Sequence, residues 1–75
     1  MNRYENLSGR SGIRSYEITY DSITILFSDG GLYVYDYETT GVERVEQMKL
    51  LAQSGTGLNS YISRVIKKSY AEKLV

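Results

Sequence analysis

The chain has no cysteine, histidine, proline or tryptophan. Without cysteine there is no disulfide framework, no thiol nucleophile and no thiolate metal site. Without histidine the commonest general base and metal ligand near neutral pH is missing. No apolar run approaches the roughly 20 residues of a membrane span, and no secretory leader pattern opens the sequence. A cytoplasmic location with no membrane partner is therefore expected. An excess of one charge is also lacking. Nine Lys and Arg balance nine Asp and Glu, for a formal net charge of zero. A small protein that holds long DNA or RNA electrostatically usually carries net positive charge, so neutrality counts against that role. Carboxylate pairs such as Asp36/Glu38 and Glu43/Glu46 are explained by loop solvation and by the positive end of a helix. No catalytic residue, metal or cofactor is assigned, and the expected function is non-enzymatic.

What is present is a soluble globular composition, with 41% hydrophobic and 24% charged residues in 75. A domain of this size buries only about 60–65% of its unfolded surface. Without disulfides or metal it depends on close packing or self-association. Charge is uneven along the chain. Arg3, Arg10 and Arg14 outweigh Glu5 up to Tyr16. The stretch Glu17–Glu46 is strongly acidic, with Arg44 its one cation, and Lys49, Arg64, Lys67, Lys68 and Lys73 face only Glu72 after it.

Residues 1–12 are polar, rich in Gly, Ser and Arg, and without periodicity. They are expected as a flexible N-terminal arm, with residues 13–75 forming a single domain. Ile13–Tyr20 alternates Tyr16, Ile18 and Tyr20 with polar residues, which predicts a strand. Ser22–Ser28 is a second, β-branched strand, and Leu32–Tyr37 a third after the Asp29-Gly30-Gly31 turn signal. Thr40 and Glu43 have capping-box spacing. Val42, Val45, Met48, Leu51 and Ala52 then recur at helical spacing, and Gly55 supplies a left-handed stop. A second helix opens at Thr56 or Gly57 with the stripe Leu58, Tyr61, Ile62, Val65, Ile66 and Tyr70. The expected fold is α+β: a three-stranded antiparallel meander followed by two helices packed on one face.

Two-residue turns at Asp21-Ser22 and Asp29-Gly30 would pair Ile18 with Ile25 and Ile25 with Val34. Directly paired residues share a sheet face. Ile18, Ile23, Ile25, Phe27, Leu32 and Val34 would then meet the helices, while Leu26, Tyr33, Tyr35 and Tyr37 would lie on the uncovered face. Only an odd loop or a bulge reverses that parity. An open row of tyrosines has three readings: a self-association surface, a stacking platform for bases, or plain strand propensity.

These residues resemble the KTSC domain family, a module found at the C-terminal end of some lysyl-tRNA synthetases and as small free-standing bacterial and phage proteins. The resemblance runs through Ile13, Tyr20-Asp21, Ile23, Ile25 and Phe27, Gly30-Gly31, Tyr33-Val34-Tyr35, the Val42 helix, Ser54-Gly55, Asn59, Ile62 and Tyr70. It departs where Gly41 stands near the proline that often opens the family's first helix, and in a longer C-terminal end. It implies an α+β domain, with RNA binding as an expectation from the synthetase context.

Ser54 to Asn59 is a Gly-rich turn leading into a helix, suited to a phosphate or carboxylate through Thr56, Asn59 and free N–H groups. It lacks the Lys-Ser/Thr pair of a P-loop, and it also reads simply as two helix caps back to back. Arg64 and Lys68 are four apart, with Lys67 beside them. The expected function is a self-associating binding module for a nucleotide-type ligand, of the kind a phage protein would use to sequester a nucleotide immune signal. Its ligand residues would be Tyr33, Tyr35, Thr56, Asn59, Arg64, Lys67 and Lys68. Its homo-oligomer contacts would be Leu26, Tyr33, Tyr35 and Tyr37, with the pocket between subunits. The alternatives are an RNA- or tRNA-binding accessory domain, which net neutrality disfavours, and a protein–protein adaptor using the tyrosine face.

Overall fold

The structure is a computed structural model that describes all 75 residues. Five strands form one antiparallel sheet in sequential order: β1 (Asn2–Arg3), β2 (Ile13–Ile18), β3 (Ser22–Phe27), β4 (Leu32–Asp36) and β5 (Glu72–Lys73). Helix α1 (Val42–Ser54) and the short α2 (Leu58–Tyr61) lie between β4 and β5. The α+β class and the two helices match the expectation, but the sheet has five strands rather than three. The extra strands are two-residue edges formed by the chain ends, too short to carry a periodic signal.

The three central strands form where β-branched and aromatic residues alternate, but their register differs from expectation. The first hairpin pairs Ile18 with Ile23 and Tyr16 with Ile25. Its turn is therefore displaced by one residue, which keeps the parity and leaves Tyr20 at the tip, 88% exposed. The second hairpin pairs Ile25 with Tyr33 and Ile23 with Tyr35. The Phe27 N–H donates to the Gly31 carbonyl at 2.8 Å, and the Gly30 N–H to the Phe27 carbonyl at 2.9 Å. The loop is thus the three residues Ser28–Gly30, with Gly30 at φ 94° taking the left-handed position such loops need. An odd loop moves every β4 side chain to the opposite face. Tyr33 and Tyr35 therefore face the helices, and Leu32 and Val34 join Leu26 on the uncovered face. An irregularity between Ile13 and Ser15 similarly lets both Ile13 and Tyr16 enter the core.

The core lies between this sheet face and the helices. Ile13, Tyr16, Ile23, Ile25 and Tyr35 meet Val45, Met48 and Ala52 of α1, with Leu58, Ile62 and Ile66 from the segment that follows. Each fully buried aliphatic side chain contributes about 1.5–3 kcal/mol. Tyr33 packs edge-on against Phe27, with ring centroids 5.4 Å apart, and against Tyr70 at 4.8 Å. Tyr70 fixes the C-terminal segment over the sheet. The Ala71 N–H reaches the Val34 carbonyl at 2.7 Å and the Leu74 N–H the Leu32 carbonyl at 2.7 Å.

Thr40 does not cap α1. Its hydroxyl donates across the fold to the Ser69 carbonyl at 2.5 Å, and Gly41 occupies the cap position with no side-chain hydrogen bond. Gly55 does end α1, at φ 79°, its N–H donating to the Leu51 and Ala52 carbonyls. After α2 the chain widens into a π-type turn, Ile62–Ile66, closed by the Lys67 N–H on the Ile62 carbonyl.

The segment 1–12, expected as a loose arm, is docked. Asn2 pairs with Tyr16 and Arg3 with Ser15. Tyr4 is a core residue, and the Leu7 N–H donates to the Gly55 carbonyl at 2.8 Å. A Cβ placed on Gly55 would stand 2.7 Å from the Glu5 Cβ, closer than two such atoms approach. No helix of the chain is long and apolar enough to cross a membrane.

Two outcomes follow from this packing. Gly55→Ala forces both a left-handed alanine and a clash with the arm. It is expected to cost about 1–3 kcal/mol in chemical denaturation and to speed hydrogen exchange at the Leu7 N–H. The Tyr35 hydroxyl is pushed up to about 12 by burial and then by neighbouring Tyr33 and Tyr70. Its folded value lies above the ordinary value of about 10, so its contribution is complete below pH 10 and is lost as pH rises from 10 to 12. Melting temperature should therefore fall more steeply over pH 10–12 in the wild type than in Tyr35→Phe.

Candidate functional site

The docked arm and the α1–α2 connection enclose a cleft of about 440 Å³. The arm wall is a loop held by its own side chains. The Asn6 carboxamide oxygen accepts the Ser11 N–H at 3.0 Å, Ser8 Oγ accepts the Arg10 N–H at 3.2 Å, and Ser11 Oγ accepts the Ile13 N–H at 3.2 Å. Such Asn and Ser contacts replace backbone pairing in a turn, and they explain how a segment without periodicity holds one shape. Ser8, Arg10 and Ser11 line the cleft from this side.

The opposite wall is helical. Gly57, at φ 86°, turns the chain into α2, and the Leu58 N–H is held by the Tyr4 hydroxyl at 3.4 Å. From here Thr56, Asn59, Ser60, Ser63 and Arg64 line the cleft, with Tyr4 as its one hydrophobic residue. Every other lining group is a hydroxyl, an amide, a guanidinium or glycine backbone. No carboxylate lines the cleft, and neither Arg10 nor Arg64 forms an ion pair anywhere in the fold. Ser63 Oγ already donates to the Asn59 and Ser60 carbonyls, but two unneutralised guanidiniums beside the remaining hydroxyls make a local positive field that suits an oxyanion.

Of the expected ligand residues, Thr56, Asn59 and Arg64 come together here. Lys67 and Lys68 do not line the cleft. The π-type turn ends at Ile66 and Lys67 leaves it at φ 54°, so the helical spacing from Arg64 to Lys68 is not realised. Tyr33 and Tyr35 lie elsewhere, in the aromatic group with Phe27 and Tyr70. Tyr35 is 2% exposed, and Tyr33 is partly buried against the core. Tyr35 offers no open ring face, and the Lys73 ammonium lies over the Tyr33 ring, 5.6 Å from its centroid. Of the expected contact residues, Leu26 alone is on the uncovered face. Ser8, Arg10 and Ser11 join the cleft without any sequence pattern that points to them, because they belong to the aperiodic arm. Tyr4, an aromatic inside that polar stretch, was the available signal that the arm docks.

A second polar cluster surrounds Tyr37. Glu46 accepts the Tyr37 hydroxyl at 2.5 Å and the Lys49 ammonium at 2.8 Å, and Lys49 also donates to the Tyr20 carbonyl at 2.9 Å. The hydrogen bond to Glu46 raises the Tyr37 hydroxyl, and bonds from Lys49 and Tyr37 hold the Glu46 carboxyl low. All three groups satisfy one another, so this cluster ties α1 to the β2–β3 turn and β4 rather than waiting for a ligand. No group of three or more His, Cys, Asp or Glu is arranged to hold a metal ion.

No known family model matches the chain, and neither a curated protein nor a solved structure does.

Proposed function

We propose that this chain is a non-enzymatic binding module that takes a small anionic, nucleotide-type ligand in the Arg10–Arg64 cleft. The observation that carries the reading is the pairing of two arginines, free of any carboxylate, across a cleft lined by hydroxyls and an amide. The lining offers hydrogen-bond donors and no imidazole, thiol or carboxylate, which suits holding an anion over transforming it. Zero net charge favours a ligand needing one or two local cations over a polymer needing many. The cleft belongs to one subunit, because the arm and helix that form it belong to one chain. Sequestering a nucleotide signal is one use of such a site, and holding RNA is the alternative that salt dependence separates.

The test is calorimetry with inorganic phosphate and AMP at low salt. Arg10→Ala and Arg64→Ala should each weaken binding by about 1.5–3 kcal/mol, the usual worth of a charged hydrogen bond. Lys68→Ala, outside the cleft, should leave affinity within twofold. Binding should respond weakly to added salt, whereas an RNA binder would lose affinity steeply. Failure of both probes to bind at millimolar concentration would reject the reading.

Self-association is part of the proposal, with its surface moved by the hairpin parity. The tyrosine row is turned inward, and the helix-free face presents Leu26, Leu32 and Val34 side by side, each half-buried. A second copy covering this strip would remove apolar area that one 75-residue chain leaves wet. Sedimentation should show a dimer or larger species at micromolar concentration that Leu26→Lys converts to monomer. A wild-type monomer at high concentration would remove this part of the proposal and leave the cleft untouched.

A further inference from the structure

Beside the polar cleft, on the other side of Arg64, runs a second depression of about 340 Å³ between α1 and the α2 segment. Its character is opposite. Leu51, Tyr61 and Val65 form its apolar surface, with Gln47 of α1 at the rim. The two depressions are not separate features: Gly57, Ser60 and Arg64 line both. Val65, in the π-type turn that follows α2, is exposed. Tyr61 belongs to the partly buried set packed on the core, and it also lines the groove.

We infer that the Leu51–Tyr61–Val65 groove receives the base of a nucleotide whose phosphate is held in the Arg10–Arg64 cleft. The inference rests on the anion reading of that cleft and adds the half of the ligand that the cleft leaves undefined. A ligand bound only by the cleft would be a bare oxyanion. One spanning both depressions must be charged at one end and flat and apolar-faced at the other, with a polar linker between. Ser60 and Gly57 stand at the shared border, where a hydroxyl-bearing sugar would lie. Arg64 lines both depressions and would serve both ends, its guanidinium for the phosphate and its apolar stem for the base. Volumes of about 440 and 340 Å³ each fall in the range of small-molecule sites, roughly 300–1,000 Å³. Packing of Tyr61 against the core limits the ordering cost of stacking a base on it. This also moves the stacking role from the strand tyrosines to a helix tyrosine, on the same subunit as the phosphate donors.

The experiment compares inorganic phosphate, AMP and a short single-stranded oligoadenylate on the full chain. AMP should bind about tenfold tighter than phosphate, the lower range of base–aromatic stacking. Tyr61→Ala should remove that advantage while leaving phosphate affinity within twofold, and Tyr61→Phe should keep it. Because Tyr61 also touches the core, NMR of the wild type supplies an independent reading: the adenine protons should show contacts to the Leu51 methyls and the Tyr61 ring. Equal affinity for AMP and phosphate, or adenine contacts lying elsewhere, would overturn the inference while the anion cleft stands. Failure of both phosphate and AMP to bind would overturn the cleft reading and this one with it. An oligoadenylate that binds no tighter than AMP identifies the free nucleotide as the source. An oligoadenylate that binds far tighter, with a steep salt dependence, overturns the small-ligand assignment.

Discussion

Side chains on a strand alternate with period two, so one residue in the connection after Phe27 decides what the sheet shows to each side. The three-residue loop Ser28–Gly30 turns Tyr33 and Tyr35 toward the helices. Much of the architecture depends on that parity. Tyr35 fills the core beneath α1, and Tyr33 with Phe27 builds an aromatic shelf on which Tyr70 rests. Tyr70 brings the C-terminal segment back along β4, where the Ala71 and Leu74 amides complete an edge strand. Were the loop one residue shorter, Leu32 and Val34 would face inward, with no aromatic shelf to hold that return.

The two chain ends solve the same problem at opposite edges of the sheet. A small sheet with bare edges invites pairing with other chains. Here each edge is a two-residue strand, one from each terminus, anchored by a tyrosine packed on or in the core, Tyr4 at one end and Tyr70 at the other. The Thr40 hydroxyl reinforces the C-terminal side by taking the Ser69 carbonyl. Gly55 reinforces the N-terminal side by letting the arm approach closer than a Cβ would allow. In a 75-residue chain without disulfides, these closures draw residues otherwise left in solvent into the cooperative unit.

Features legible in the sequence were those written in local pattern. The three central strands follow from β-branched and aromatic alternation, α1 from the Val45–Met48–Ala52 spacing, and its end from Gly55. Asp29-Gly30-Gly31 announces a turn but not its length, because glycine at 30 and at 31 serves an even or an odd loop equally well. The face of the tyrosines was lost in that one-residue ambiguity. Thr40 fits a capping box by spacing, yet a partly buried carbonyl 29 residues away competes for its hydroxyl and wins. The candidate site divides along the same line. Thr56, Asn59 and Arg64 were visible because a Gly-rich entry to a helix is a local signal. Ser8, Arg10 and Ser11 were not, since their placement depends on Tyr4 entering a core built by distant segments.

That division also bears on how the cleft would work. One wall is a helix continuous with the core, through Leu58, Ile62 and Ile66. The other is a loop whose shape rests on Asn6, Ser8 and Ser11 contacts, on an internal backbone bond from Gly9 to Asn6, and on backbone bonds that join Leu7 to Gly55 and Gly12 to Ser28. Local opening draws on the least buried contacts first, and the arm loop, mostly exposed, has fewer than the helix. On the proposed reading, a ligand that joins Arg10 to Arg64 bridges the two walls and favours the docked arm by its differential affinity for that state. The same bond that recognises the anion would then hold the arm's edge strand and Tyr4 in place. Binding and fold stability become linked through one seam, so the extent of arm docking in the free protein sets the apparent affinity of the site.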